Sequence, residues 1–462
     1  MLLPAAAPGP CEAAGFAITS ETIGQAYEVR GRDGLFEIPR NRITQILFLF
    51  GTDLAGGAFD AMHPKKLDLV LGLSLDHDFG APSSGLDHDD PAHFLPLMER
   101  TEVGILTGRL EGRFGLDPAF TLGAGRLFIM EPAGFVAMDG VDLGLLVGGV
   151  ISLGVAAGLE LIPDLRLSVV DFGADGIARD DRHGWPADLH PEIEEPRHRP
   201  VILASLGIGI PGGGSLTISY RRTWADVDFR EIAIDRLGLG LEVSGWGMPI
   251  HVKIRSVFDL AWLRVSELEA EVEIRPGGPF GVGLTYGHWL PLFDAGSVFN
   301  VFDTDPHDEV GAYVTLGKPG KGRLDLTAGA TIRITDVSGY PEAGESALSD
   351  ASGWVATALR AGPLALSWTT RGGGGGSGAL VGTSIRAEIS LLGGRLAPGA
   401  GLGLWFWDDP LRRSHHGLTG GGVLSLAWRP VPRFSAIVAM DVYSNAVSGT
   451  SLSGIARLEV RL

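Results

Sequence analysis

Arg323-Leu324-Asp325-Leu326-Thr327-Ala328-Gly329-Ala330-Thr331-Ile332-Arg333-Ile334 alternates apolar with polar or small residues along its whole length. Successive side chains of a β-strand point to opposite faces, so this period of two sets one face against something apolar and the other against water. The pattern recurs in Lys66 to Asp76, where Leu67, Leu69, Leu71, Leu73 and Leu75 share a face, and in Leu106 to Phe114, where Arg109, Glu111 and Arg113 share the other. It returns in Gly214 to Arg221, Leu237 to Ser244, Glu267 to Arg275, Val381 to Leu391, Gly399 to Trp407, Phe434 to Tyr443 and Leu452 to Leu462. Strands this numerous, in a chain of uniform texture without a linker, specify either stacked sandwiches or one large closed sheet.

Connection lengths separate the two. Read backwards from Leu462, Asn445 to Thr450 is a loop, Pro430 to Pro432 a turn, Asp408 to Gly417 a loop and Gly393 to Gly394 a turn. The glycine run Gly372 to Gly376 reads as a loop, Ala361 to Gly362 as a turn, and Gly173 to Pro200 is the longest loop. Short turns on one rim and long loops on the other are the habit of outer-membrane barrels, and a sandwich has no reason to keep that asymmetry. In hydrocarbon every backbone amide must pair within the protein, so a sheet crosses only when closed. The expected fold is an all-β, antiparallel, up-and-down transmembrane barrel with short periplasmic turns, long extracellular loops and both ends periplasmic.

Leu143 to Leu159 carries no charge, yet Gly144, Gly148, Gly149, Gly154 and Gly158 weaken a helix there. Odd positions from Val141 to Leu161 are apolar or Gly, which a single long strand explains. With that strand, about 20 spanning segments run from Lys66 to Leu462, or about 18 if the weak segments near Asp228 and Val355 drop out. Residues 1–65 read as a periplasmic lead-in with a signal remnant within 1–15 and an extra strand at Gln45 to Phe50. The barrel is assigned to residues 66–462.

Gly makes up 69 of 462 residues without a collagen-like period or a disordered composition, so glycine sits inside regular structure. It falls largely on the inward parity, as at Gly238 and Gly240 or Gly401 and Gly403, where a missing side chain keeps a lumen open or lets strands bend. Trp246, Trp368, Trp428 and Phe434 fall near strand ends, as an aromatic girdle would. The net charge of -18 excludes a general nucleic-acid partner. Cys11 is the only cysteine, which excludes an internal disulfide.

Two stretches carry a family resemblance. Leu452-Ser453-Gly454-Ile455-Ala456-Arg457-Leu458-Glu459-Val460-Arg461-Leu462 resembles the C-terminal strand by which outer-membrane proteins are recognised for insertion. Gly123-Ala124-Gly125-Arg126-Leu127-Phe128, followed by Met138-Asp139-Gly140-Val141, is similar to the Gly-Arg and Asp-Gly-Val signature of porin-like and alginate-export-like barrels of Gram-negative bacteria. The resemblance implies an integral outer-membrane protein in contact with lipid and lipopolysaccharide. Insertion machinery reading the last strand is the implied assembly partner.

Inward charges set which solutes a pore favours. The lumen or constriction candidates are Arg109, Glu111, Arg113, Arg221, Lys253, Arg255, Glu269, Glu271, Arg323, Asp325, Arg333, Arg386 and Glu388. His251, Lys253 and Arg255 share one face and Glu267 to Glu273 another, so opposite signs are expected to meet on neighbouring strands. The alternative is a set of charge ladders that only fill and stiffen the barrel. Asp76, Asp78, Asp87, Asp89 and Asp90 offer oxygen ligands to a loop-bound divalent cation, although their spacing matches no defined calcium loop. The loop with His183, His190 and His198 reads as solvated rather than as a zinc site, and either loop is placed to fold inward. No cofactor is assigned. Ser83 and Ser84 near Asp87 and His88 lack a nucleophile context, so no catalytic residue is assigned and the chain does not read as an enzyme. The functional expectation is a channel, porin or exporter, for polar solutes or saccharides. The competing expectation is a structural barrel anchoring a polysaccharide-export, secretion or motility complex.

Overall fold

The structure, a computed structural model, describes residues 15–30, 37–54, 65–79, 101–115, 117–161, 199–225, 227–230, 232–245, 248–277, 279–290, 306–317, 324–336, 347–376, 378–408, 416–445 and 449–461. Its strands are β1 (Gly15–Arg30), β2 (Glu37–Thr52), β3 (Lys65–Asp78), β4 (Thr101–Phe114), β5 (Ala119–Glu131), β6 (Gly134–Val147), β7 (Ile151–Glu160), β8 (Arg199–Ile210), β9 (Gly214–Trp224), β10 (Ile232–Gly245) and β11 (Met248–Asp259). They continue as β12 (Arg264–Gly277), β13 (Phe280–Trp289), β14 (His307–Leu316), β15 (Leu324–Asp336), β16 (Ala347–Ala361), β17 (Leu364–Gly375), β18 (Gly378–Ile389), β19 (Leu396–Asp408), β20 (His416–Val431), β21 (Phe434–Asn445) and β22 (Gly449–Arg461). Each pairs antiparallel with the next, and β1 pairs with β22, so the 22-stranded sheet closes on itself.

Closure corrects two expectations. The sheet has 22 strands rather than 18 to 20, and the boundary at residue 66 is misplaced, because β1 and β2 lie inside the supposed lead-in. The segment Gln45 to Phe50 is the core of β2, which pairs with β3 from Gly51↔Leu69 to Arg42↔Asp78. The charge-free run is also not one strand: β6 and β7 meet at a turn where Gly148 and Gly149 take left-handed φ of 60° and 65°. Val147 pairs with Ile151, four residues on, so odd parity survives the reversal and disguises it. The glycine run, read as a loop, is the end of β17: Gly372 to Gly375 pair across to residues 353–350 of β16.

The two rims differ as expected. One carries the connections at residues 211–213, 246–247, 278–279, 362–363 and 432–433, together with the start of β1 and the end of β22. The other carries residues 79–100, 161–198 and 290–306. The outer face is apolar. Exposed Phe16, Ile18, Leu122, Leu143, Val155, Leu284, Ile332, Leu402, Leu424 and Leu458 all take the outward parity. Trp428 packs edge-on against Phe434 beside the short-turn rim, with ring centroids 5.5 Å apart. Trp246 lies outside the described residues.

Candidate functional site: the charged lumen and its infolded hairpin

The inward parity collects the charge. On β11 and β12, His251, Lys253 and Arg255 stand directly opposite Glu273, Glu271 and Glu269. Arg255 binds Glu267 at 3.0 Å and lies 3.7 Å from Glu269, and the hydroxyl of Tyr313 on β14 donates to Glu271. Arg275 binds Glu273 at 2.8 Å. Farther round, Arg333 donates to Glu309 through Nε at 2.7 Å. Arg109 reaches Glu111 at 3.0 Å and Asp142 of β6 at 3.4 Å. Arg113 faces Thr121, and Asp325 faces Ala358. Arg386 and Glu388 sit across from Gly401 and Gly399. Arg323 lies outside the described residues.

Something else narrows this lumen. The β4/β5 ladder stops at Arg109↔Gly125 and the β6/β7 ladder begins at Met138↔Glu160, so the tip of the β5–β6 hairpin leaves the wall. Gly125, Gly140 and Gly158 form one cross-strand row where it departs. A Cβ at any of the three would overlap neighbouring backbone, at Gly108, Ala157 and Asp139 respectively, so only glycine allows the crease. The tip bends inward. Ala133 N donates to Ser219 Oγ of β9 at 2.8 Å, and Arg255 Nε to the carbonyl of Pro132 at 3.4 Å. Pro132 and Ala133 lie on Gly238 of β10, where a Cβ would overlap them.

Between the hairpin and the wall lies an apolar cluster of Leu127, Val136, Met138, Ala156, Val201 and Leu203. Leu127 and Met138 are fully buried, and each such side chain contributes about 1.5–3 kcal/mol. Arg221 closes the cluster's edge. It binds Glu160 of β7 at 2.5 Å and donates to the carbonyl of Phe135 in the hairpin at 3.1 Å. Outside the crease, Arg126 forks onto Asp139, Nε to Oδ1 and Nη2 to Oδ2 both at 3.0 Å. It also donates to the carbonyl of Ile105, on the stretch of β4 that has lost its β5 partner. A carbonyl at membrane depth needs such a donor.

The Gly-Arg and Asp-Gly-Val stretches are thus the crease and the clasp behind it. Sequence reading expected the loops at 76–90 or 173–200 to fold in, and these lie mainly outside the described residues. It missed a hairpin with a turn of only Pro132 and Ala133, for which the aligned Gly125 and Gly140 were the available signal. Of the proposed cation ligands, Asp76 is engaged by Arg42 at 2.9 Å and by Thr44, Asp78 is the last residue of β3, and Asp87, Asp89 and Asp90 lie outside the described residues. Among the described residues no three His, Cys, Asp or Glu side chains gather as a metal site.

An even-stranded closed sheet, apolar outside and charged within, defines an integral transmembrane β-barrel of the outer-membrane class. No family model matches the chain, and no curated protein matches it. Among solved structures it is similar to a BenF-like porin from Pseudomonas fluorescens Pf-5, at 10% identity and TM-score 0.46, covering 97% of this chain and 98% of that one. It is also similar to OpdQ from Pseudomonas aeruginosa, at 10% identity and TM-score 0.44, with 97% and 98% covered. OccAB3 from Acinetobacter baumannii gives 10% and 0.44, with 97% and 99% covered. The functional reading rests on the barrel's own residues.

Proposed function

We propose that this chain is an outer-membrane channel for polar solutes, saccharides among them, with the short-turn rim and both barrel ends in the periplasm. The observation that carries the reading is the charged lumen, with cations of β11 facing the carboxylates of β12. A wall that only had to be filled would be served by apolar packing, whereas half-exposed ions of both signs keep a wet path favourable for polar solutes. The infolded hairpin narrows that path on one side. Conductance of the refolded barrel in a planar bilayer tests the reading. A steady ion current is expected, and Lys253→Glu with Arg255→Glu should move the reversal potential toward cation selectivity. A folded barrel that passes no current at any salt concentration would remove the channel reading and leave an anchoring barrel.

A further inference from the structure

One cross-strand row of inward positions begins at His251 on β11 and ends at Thr419 on β20. It passes through Tyr313, Trp354, Arg371 and Trp405, each joined by consecutive pairings. His251 lies close to the short-turn rim and Trp405 close to the long-loop rim. Strands of such barrels tilt by about 35–45°, so a row at right angles to them climbs, and nine steps of about 4.8 Å rise roughly 25–30 Å. The row is a spiral through the full height of the lumen.

Glycine precedes each ring on that row. Gly283 lies beside Tyr313, Gly329 beside Trp354 and Gly382 beside Trp405. A Cβ at Gly329 would stand 3.0 Å from the Trp354 ring, and at Gly283 or Gly382 it would overlap the neighbouring ring. The rings therefore lie along the wall, over the neighbouring strand, instead of projecting across the lumen.

Trp354, Arg371 and Trp405 share one recess of about 720 Å³. Its charges are mixed: Arg333 and Arg371 against Glu309, Asp350 and Asp408. A pyranose ring offers a C–H face that stacks on an aromatic ring, and hydroxyls that both donate and accept. Donor cations beside acceptor carboxylates serve such hydroxyls, and without a positive excess the recess gives an anion no advantage. Trp354 and Trp405 stand three strands apart, roughly 14 Å, which suits a linear chain rather than a single sugar.

We propose that the long-loop half of the lumen holds a subsite for neutral linear oligosaccharides, with Trp354 and Trp405 as stacking faces and Arg371 as a hydroxyl donor between them. This rests on the channel reading and deepens it. Linear glucose hexasaccharides of α and β linkage, titrated into the detergent-solubilised barrel, should quench tryptophan fluorescence saturably and block current in a bilayer. Trp405→Ala should weaken both effects by about tenfold or more. Trp405→Phe, folded by the heat-shift gel test, should restore most of the loss, and Trp428→Phe on the outer face should change neither. Quench without any current would support the subsite while removing the channel. Current with neither quench nor block by either hexasaccharide would overturn the subsite and leave the channel standing. Tighter binding of an oligogalacturonate of equal length would overturn the neutral assignment.

Discussion

The wall from β5 to β11 and the wall from β13 to β19 share the same alternation and use glycine in opposite ways. In the first, Gly125, Gly140, Gly158 and Gly238 let backbone approach backbone, so the sheet creases and a second layer folds over it. In the second, Gly283, Gly329 and Gly382 receive rings, so the sheet stays a single layer with aromatic faces toward the lumen. An absent side chain has no meaning until its cross-strand neighbour is known.

Six substitutions probe that contrast. Arg221→Met should have the largest effect, about 3–5 kcal/mol of unfolding free energy in lipid vesicles, because Glu160 loses the guanidinium that meets its buried carboxylate. A loss below about 1 kcal/mol would mean that this ion pair does not hold the hairpin down. Met138→Ala should cost about 2–5 kcal/mol by opening a cavity under the hairpin, read by urea titration. Arg126→Leu should cost roughly 1–3 kcal/mol by leaving the Asp139 carboxylate without its forked partner and the Ile105 carbonyl without its donor. Adding Asp139→Leu should recover part of that cost, and strict additivity of the two would dismiss the clasp. Gly329→Ala should be mildest, about 1 kcal/mol, since the new Cβ would stand 3.0 Å from the Trp354 ring and 3.1 Å from the Ala312 carbonyl oxygen, close contacts rather than overlaps. Gly140→Ala, facing backbone, should cost several times more, and equal costs would dissolve the contrast between the two walls.

Much of this was legible in period two alone. Alternation gave the class, the inward set of charges and the meeting of Lys253 and Arg255 with Glu271 and Glu269, because parity survives any register that keeps faces matched. Parity also explains the failures. The β6–β7 turn was hidden because Val147 and Ile151 differ by an even number. β5, by contrast, breaks the alternation at Leu127-Phe128-Ile129-Met130, apolar on both faces, a second sign that the strand leaves the wall there. The spiral from His251 to Thr419 depends on nine successive registers, none of which a single strand encodes. The expectation of a lead-in failed at β1 and β2, which belong to the wall, for want of contrast. In β1, Ser20 and Thr22 stand on the outward parity with Phe16 and Ile18 and blur the pattern that β3 shows with its leucines.

The seam between β1 and β22 sets the order of events in assembly. Arg457 reaches Glu21 at 2.7 Å across 436 positions of sequence, and the twenty strands between them must already be in place. Contacts of such separation form last and slowly. Until then β1 and β22 are both open edges in a medium that offers no water to their amides. Closure removes both edges in one step, so the two strands most open to mispairing before it become ordinary wall after it.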